Sequence, residues 1–219
     1  MDSIFLFLIG TVFGSFFGLI IERFPTGESI IFGRSHCDSC QKMLAVRDLI
    51  PLFSQLISRS RCRFCHSKIP LTNFFLEFSC GWIFLFAWWN WLDLPAFLLL
   101  LLSLILSIFD LRQHSFPLGV WLIFAIIFIS LFPSAFPPYC WLILAIFAEY
   151  FDLKIGSGDF LWLFTASFAL SFLQEIWLIQ LASLLGIFYY FLRKKRTEIP
   201  FIPFLTIAYL MLLLAPQIL

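Results

Sequence analysis

Eight apolar stretches, parted by charged residues or by proline and glycine, organise the chain. They fall near residues 3–21, 74–91, 95–109, 117–132, 139–151, 160–173, 176–192 and 201–214. A helix needs roughly 17–25 apolar residues to cross a bilayer core. The pattern therefore predicts an all-α polytopic membrane protein with about eight transmembrane helices, the shorter ones borrowing residues from their flanks or, for the third, fifth and sixth, tilting. The first stretch has no basic start and is followed by Glu22-Arg23 with no small-residue cleavage site, so it reads as a retained helix. One long polar insertion, 24–73, separates it from the second. The resulting organisation is a first helix (1–23), a small polar domain (24–73) and a seven-helix remainder (74–219). No internal repeat is evident.

Composition agrees. Of 219 residues, 62% are hydrophobic and 12% charged, and mean hydropathy is +0.99; a soluble domain is closer to half apolar and a quarter charged. The formal net charge of +1 gives no reason to expect nucleic acid as a partner.

Charge placement sets the orientation. Eight of the fourteen Lys and Arg (Arg23, Arg34, Lys42, Arg47, Arg59, Arg61, Arg63 and Lys68) lie in the first connection. Arg112 lies in the third, Lys154 in the fifth, and Arg193, Lys194, Lys195 and Arg196 in the seventh. The even connections carry none. Basic residues are retained on the cytoplasmic side, so the odd connections are expected there and both termini outside. The run at 193–196 reads as an anchor at the membrane surface, in touch with anionic lipid.

The polar insertion holds Cys37-Asp-Ser-Cys40 and Cys62-Arg-Phe-Cys65, with 21 residues between the pairs. A two-residue gap lets both sulfurs of one turn reach one tetrahedral ion, so Cys37, Cys40, Cys62 and Cys65 read as a zinc-ribbon-like ligand set. Redox chemistry and vestigial cysteines are the alternatives; a disulfide suits a reducing compartment poorly. A segment of about fifty residues buries little core unaided, and a metal clip meets that need. His36 and His66 read as solvated neighbours, and Cys80 and Cys140 as packing residues.

Two carboxylates stand out. Asp110 ends the third stretch, in Ser107-Ile-Phe-Asp-Leu-Arg-Gln-His114, and Asp159 opens the sixth, in Gly156-Ser-Gly-Asp159. The charge-derived topology puts both at the cytoplasmic ends of their helices, so they can meet despite the 48 residues between them. Two carboxyls in a partly dry setting share one proton, and such a pair can activate water and protonate a leaving group. Gly156 and Gly158 read as room for the backbone of a substrate. The spacing leaves open a plainer role for Asp159, as N-cap of its helix. Glu77, Glu149, Asp152, Glu175 and His114 read as support or interfacial charges.

In this order, the residues resemble the bacterial type IV prepilin (leader) peptidases, membrane aspartic proteases of the GxGD kind. The similarity runs through Gly14-Ser-Phe-Phe-Gly-Leu-Ile-Ile-Glu-Arg-Phe-Pro25, the two cysteine pairs, Asp110 with a following proline at 117, Gly156-Ser-Gly-Asp159 and Pro200-Phe-Ile-Pro-Phe204. The resemblance implies that Asp110 and Asp159 are a catalytic pair. It also implies a prepilin or pseudopilin substrate, cut after the glycine that ends its leader, at the cytoplasmic membrane face. The products would serve pili, secretion or competence, and the compact chain looks most like the Gram-positive competence type. Many relatives also N-methylate the new terminus with S-adenosylmethionine, which points to Gly27, Glu28 and Arg34 as the matching residues. Two departures are plain: no Lys follows Asp159, and Phe116-Pro117 stands where the family has Ile-Pro. Two other function classes compete with the peptidase. One is a proton- or ion-coupled transporter using the paired aspartates; the other is a zinc-stabilised scaffold that needs the cysteines alone.

Overall fold

A computed structural model of the chain describes residues 1–37, 39–132, 139–151, 156–192 and 199–214. Asp38, Asp152, Lys154, the basic run at 193–196 and Glu198 lie outside the described residues. Each apolar stretch contains a helix: α1 (Asp2–Arg23), α3 (Leu71–Trp88), α4 (Leu94–Gln113), α5 (Leu118–Leu131), α6 (Tyr139–Tyr150), α7 (Ser157–Ala166), α8 (Phe172–Leu192) and α9 (Ile202–Leu214). A short α2 (Phe53–Ser58) and a 3-10 turn (Val46–Leu49) lie in the polar insertion. Four helices, α1, α3, α4 and α8, are long and apolar enough to cross a membrane; α5, α6 and α9 are apolar but shorter, and α7 has ten residues. The chain is an all-helical integral membrane protein, with two isolated β-bridges as its extended pairing among the described residues.

Two compact units divide it, Met1–Asp93 and Leu94–Leu219. In the first, α1 packs along α3. Small residues at Gly10, Gly14 and Gly18 recur every four positions, on one face of α1. A Cβ at Gly14 would stand 2.5 Å from the Glu77 Cα, and one at Gly10 2.7 Å from the Cys80 carbonyl oxygen. The helices therefore meet backbone to backbone. Across the same interface Gly81 leaves room for the Phe7 ring. At its end, α1 places Arg23 so that its guanidinium donates to the Ser29 carbonyl at 2.8 Å, folding the following loop back on the helix.

The second unit is centred on α4, whose unbroken leucine-rich run holds more buried residues than any other of its helices among the described residues. It packs on α9 and touches α5 and α7, while α6 covers α7 and α8 covers α9. Polar bonds fix the register within the apolar core. Trp162 Nε1 donates to Ser103 Oγ at 2.9 Å, Trp121 Nε1 donates to the Leu161 carbonyl at 2.9 Å, and Ser107 and Thr206 share a hydroxyl bond at 2.8 Å.

One boundary differs from the apolar pattern. The sixth stretch continues to 173, but α7 stops at Ala166 and α8 already begins at Phe172. Ser167 Oγ donates to the Leu163 carbonyl, a side-chain bond that competes with the helix ladder. Ser171 and Gln174 then form a reciprocal cap: the Ser171 N–H donates to Gln174 Oε1, and the Gln174 N–H to Ser171 Oγ. Ser-x-x-Gln is a helix-start signature that hydropathy passes over.

Candidate active site and cysteine cluster

The polar insertion is built from two near-copies of one turn. In the first, the Cys37 N–H donates to the Lys42 carbonyl, the Gln41 N–H to Cys37, and the Leu44 N–H to Ser35. In the second, the Cys62 N–H donates to Ser67, the His66 N–H to Cys62, and the Ile69 N–H to Ser60. Every bond recurs 25 positions on, and Gln41 and His66 share the left-handed conformation, at φ 59° and 56°. The absence of an internal repeat inferred from the sequence is thus corrected: residues 35–44 and 60–69 are a short repeat. With Ser, both Cys and a Leu/Ile pair as its main common positions, it is too brief to register against the rest of the chain.

Each turn presents two thiols, and the four Sγ atoms all lie within 4.8 Å of one another. Cys37 Sγ and Cys65 Sγ are 3.8 Å apart; sulfurs 2.3 Å from a tetrahedral zinc would be separated by about 3.8 Å. The donor set and its spacing fit a zinc ion. Hydrogen bonds tune the thiols further. The Cys40 N–H, with the Ser67 hydroxyl and the Ser39 N–H, pulls Cys37 down to about 6. The Ser67 hydroxyl and N–H lower Cys65. The Lys42 N–H also favours the Cys40 thiolate, but lost hydration and the neighbouring thiols outweigh it and push that group up to about 11. A cluster divided in this way holds protons that a divalent ion displaces. Cys80 is buried and Cys140 exposed, both outside the cluster. His36 and His66 are not part of it.

Gly27, Glu28 and Arg34 all lie in the loop that follows α1. Gly27 takes a positive φ of 70° beside open space, and Glu28 lines a small cavity with Glu22, Thr26 and His36. Arg34 is exposed and offers its carbonyl to His36.

Glu77, expected as a support residue, is buried, and its Oε2 accepts the Leu52 N–H at 2.7 Å. That bond ties α2 to α3 at a residue with the unusual backbone angles of φ 60° and ψ −52°.

In the second unit, Asp110 sits in the last turn of α4 and Asp159 in the first turn of α7. They lie within electrostatic range of each other. The antiparallel course of the two helices, locked by the Trp162–Ser103 bond, brings both to one end of the unit. Their surroundings differ. Asp110 Oδ2 accepts the N–H of Ile202, the first residue of α9, at 3.1 Å. The Asp159 carboxyl accepts no hydrogen bond among the described residues; its N–H donates at 3.1 Å to the carbonyl of Gly156, the N-cap of α7. The capping alternative for Asp159 therefore falls away.

The flanking glycines hold different positions. Gly156 is exposed and adjoins the Asp159 carboxylate, 3.4 Å from where its Cβ would be. Gly158 is buried, and a Cβ there would overlap the Phe116 ring. The space at Gly158 is filled by this chain's own aromatic side chain. His114, with φ 47°, donates its N–H to the Asp110 carbonyl at 3.1 Å. The part missed in the sequence is the bond from Ile202; Pro200-Phe-Ile-Pro-Phe204 marked the place without disclosing the contact.

The bacterial peptidase A24 N-terminal domain matches residues 8–91, nearly the whole first unit. Over 122 residues the chain is 34% identical to a prepilin leader peptidase/N-methyltransferase of Myxococcus xanthus (strain DK1622), covering 54% of this chain and 36% of that protein. The enzyme of the same name from Bacillus subtilis (strain 168) is 28% identical over 169 residues, 70% of this chain and 68% of its own. The chain is thus similar to the A24 N-terminal domain over its first unit and to prepilin leader peptidases over half of its length or more. A third relative, from Klebsiella pneumoniae, is 35% identical over 130 residues, with 54% of this chain and 56% of that protein aligned. The chain thus spans between about a third and just over half of the Myxococcus and Klebsiella family members. No solved structure matches it.

Proposed function

We propose that this chain is a membrane aspartic endopeptidase of the prepilin leader peptidase family that removes the leader of type IV prepilins or pseudopilins, with Asp110 and Asp159 as its catalytic pair. The observation that carries the reading is the approach of these two carboxylates, one from the end of α4 and one from the start of α7, within one compact unit. A pair of this kind cleaves a peptide with no bound nucleophile: one carboxylate takes a proton from water, and the other gives a proton to the carbonyl under attack. The distribution of basic residues puts this end at the cytoplasmic face, with both termini outside; a leader held there meets the pair just before its hydrophobic helix. The seven-helix part at 74–219 forms the peptidase core. Cys37, Cys40, Cys62 and Cys65 hold a structural zinc that closes the polar insertion.

The relatives' shared name favours a second activity, N-methylation of the newly exposed terminus. Co-expression with a candidate prepilin, followed by mass spectrometry of the mature N-terminus, tests both at once. Leader removal that requires both aspartates is the expected result, and unchanged cleavage by Asp110→Asn or Asp159→Asn would sink the peptidase assignment. A mature terminus lacking the added methyl mass would retire the second activity alone. Ion flux in proteoliposomes that depends on Asp159, without cleavage, would favour transport instead.

A further inference from the structure

The two carboxylates are not equivalent. Asp110 Oδ2 receives the Ile202 N–H at 3.1 Å, and the Phe201 N–H lies close to the same carboxylate. Both N–H groups stand at the start of α9, where free N–H groups and the helix dipole favour a negative charge. Pro203 follows directly and has no N–H of its own, so donation at this helix start is left to the two residues beside Asp110. Asp159 has no such donor among the described residues and sits beside buried Gly158 and the Phe116 ring. The groups that face Asp110 are the Asp159 carboxyl from α7, His114 from its own chain just beyond it, and the α9 amides.

We propose that α9 sorts the pair: Asp110 is the carboxylate that removes a proton from water, and Asp159 is the carboxyl that protonates the scissile carbonyl. The inference rests on the peptidase reading above. In the first step the water oxygen bonds to the carbonyl carbon. Its proton passes to Asp110, and the Asp159 proton passes to the carbonyl oxygen, leaving a neutral gem-diol. In the second, Asp110 returns its proton to the amide nitrogen as the C–N bond breaks, and Asp159 takes a proton from one diol hydroxyl. Both groups end as they began. Ile202 acts here as a positioning residue through its backbone, which gives the Pro-Phe-Ile-Pro element a stated task.

The test is Ile202→Pro, with Ile202→Val as control, in the full chain reconstituted in nanodiscs and assayed on a prepilin across pH. Proline suits the first position of a helix and removes the N–H there. Loss of a bond to a charged acceptor should move the acid limb of the rate profile up by about one to two pH units in the proline variant. The valine variant should track wild type. An acid limb that stays in place in Ile202→Pro overturns the sorting. Should the proline variant fail to insert, the 15N-labelled Ile202 amide of the wild-type protein, assigned by its loss in Ile202→Val, provides a second measurement. It should shift along the acid limb, and an amide that does not titrate there also overturns the proposal. Failure of the underlying reading shows separately, as cleavage that survives Asp110→Asn or Asp159→Asn.

Discussion

Replacing Cys62 by Ser should unfasten the polar insertion while leaving the membrane helices in place. Between residues 24 and 70, Leu52 and Cys62 are the buried hydrophobic residues among those described. Full burial of one leucine contributes about 1.5–3 kcal/mol. A structural zinc contributes roughly 10–16 kcal/mol, so the ion would dominate the stability of this segment. Shared equally among four thiolates, that is about 2.5–4 kcal/mol per ligand, or a loss of affinity on the order of 100- to 1,000-fold for one removed. Cys62 is the most severe choice because its sulfur is buried and also accepts the Phe64 N–H at 3.4 Å. The assay is metal content of the purified protein alongside limited proteolysis. Wild type should carry about one zinc per chain and resist cleavage between the two cysteine turns. Cys62→Ser, or wild type treated with a strong chelator, should lose the metal and be cut there, with helix content by circular dichroism unchanged. Wild-type protein that contains no zinc yet is equally protected would refute the reasoning, since the fold of the insertion would then owe nothing to a metal.

Asp110→Asn and Asp159→Asn should each reduce prepilin cleavage to background while expression and membrane insertion persist, as scored by immunoblot of membrane fractions. Gly158→Ala should impair cleavage because its Cβ overlaps the Phe116 ring, and adding Phe116→Leu should restore part of the rate; no recovery in the double variant counts against that contact. Ser103→Ala leaves the buried Trp162 Nε1 without its acceptor and should cost about 1–3 kcal/mol, read as a lower unfolding midpoint in detergent. Gly14→Ala forces α1 from α3 at a backbone contact of 2.5 Å and should destabilise by about 1–3 kcal/mol, measured in the same unfolding assay.

Much of this architecture can be read from hydropathy because the bilayer imposes a length and a polarity on each helix. The positions of α1, α3, α4 and α8 follow from that alone. What hydropathy passes over is local hydrogen bonding. The break between α7 and α8 is made by Ser167, Ser171 and Gln174 inside an apolar run, where the average hardly changes. The likeness of the two cysteine turns resides in backbone bonds and in a left-handed residue that is Gln in one and His in the other, so residue identity conceals it. Asp110 and Asp159 were legible as a pair because charge placement put both at one face. Their inequality was not, since it depends on where a third helix, distant in sequence, begins. Gly158 reads in the sequence as room for a substrate backbone, whereas the space beside it is taken by Phe116, a contact set by packing.

That packing has a mechanical consequence. Phe116 lies six residues after Asp110 and presses on the residue just before Asp159. The tail of one helix and the head of another are therefore geared together through a single ring. A disturbance of the 114–117 turn, whether from a bound peptide or from a change in the surrounding lipid, would be delivered to Asp159 directly. Alignment of the two carboxylates is thus a property of the turn as much as of the helices that bear them.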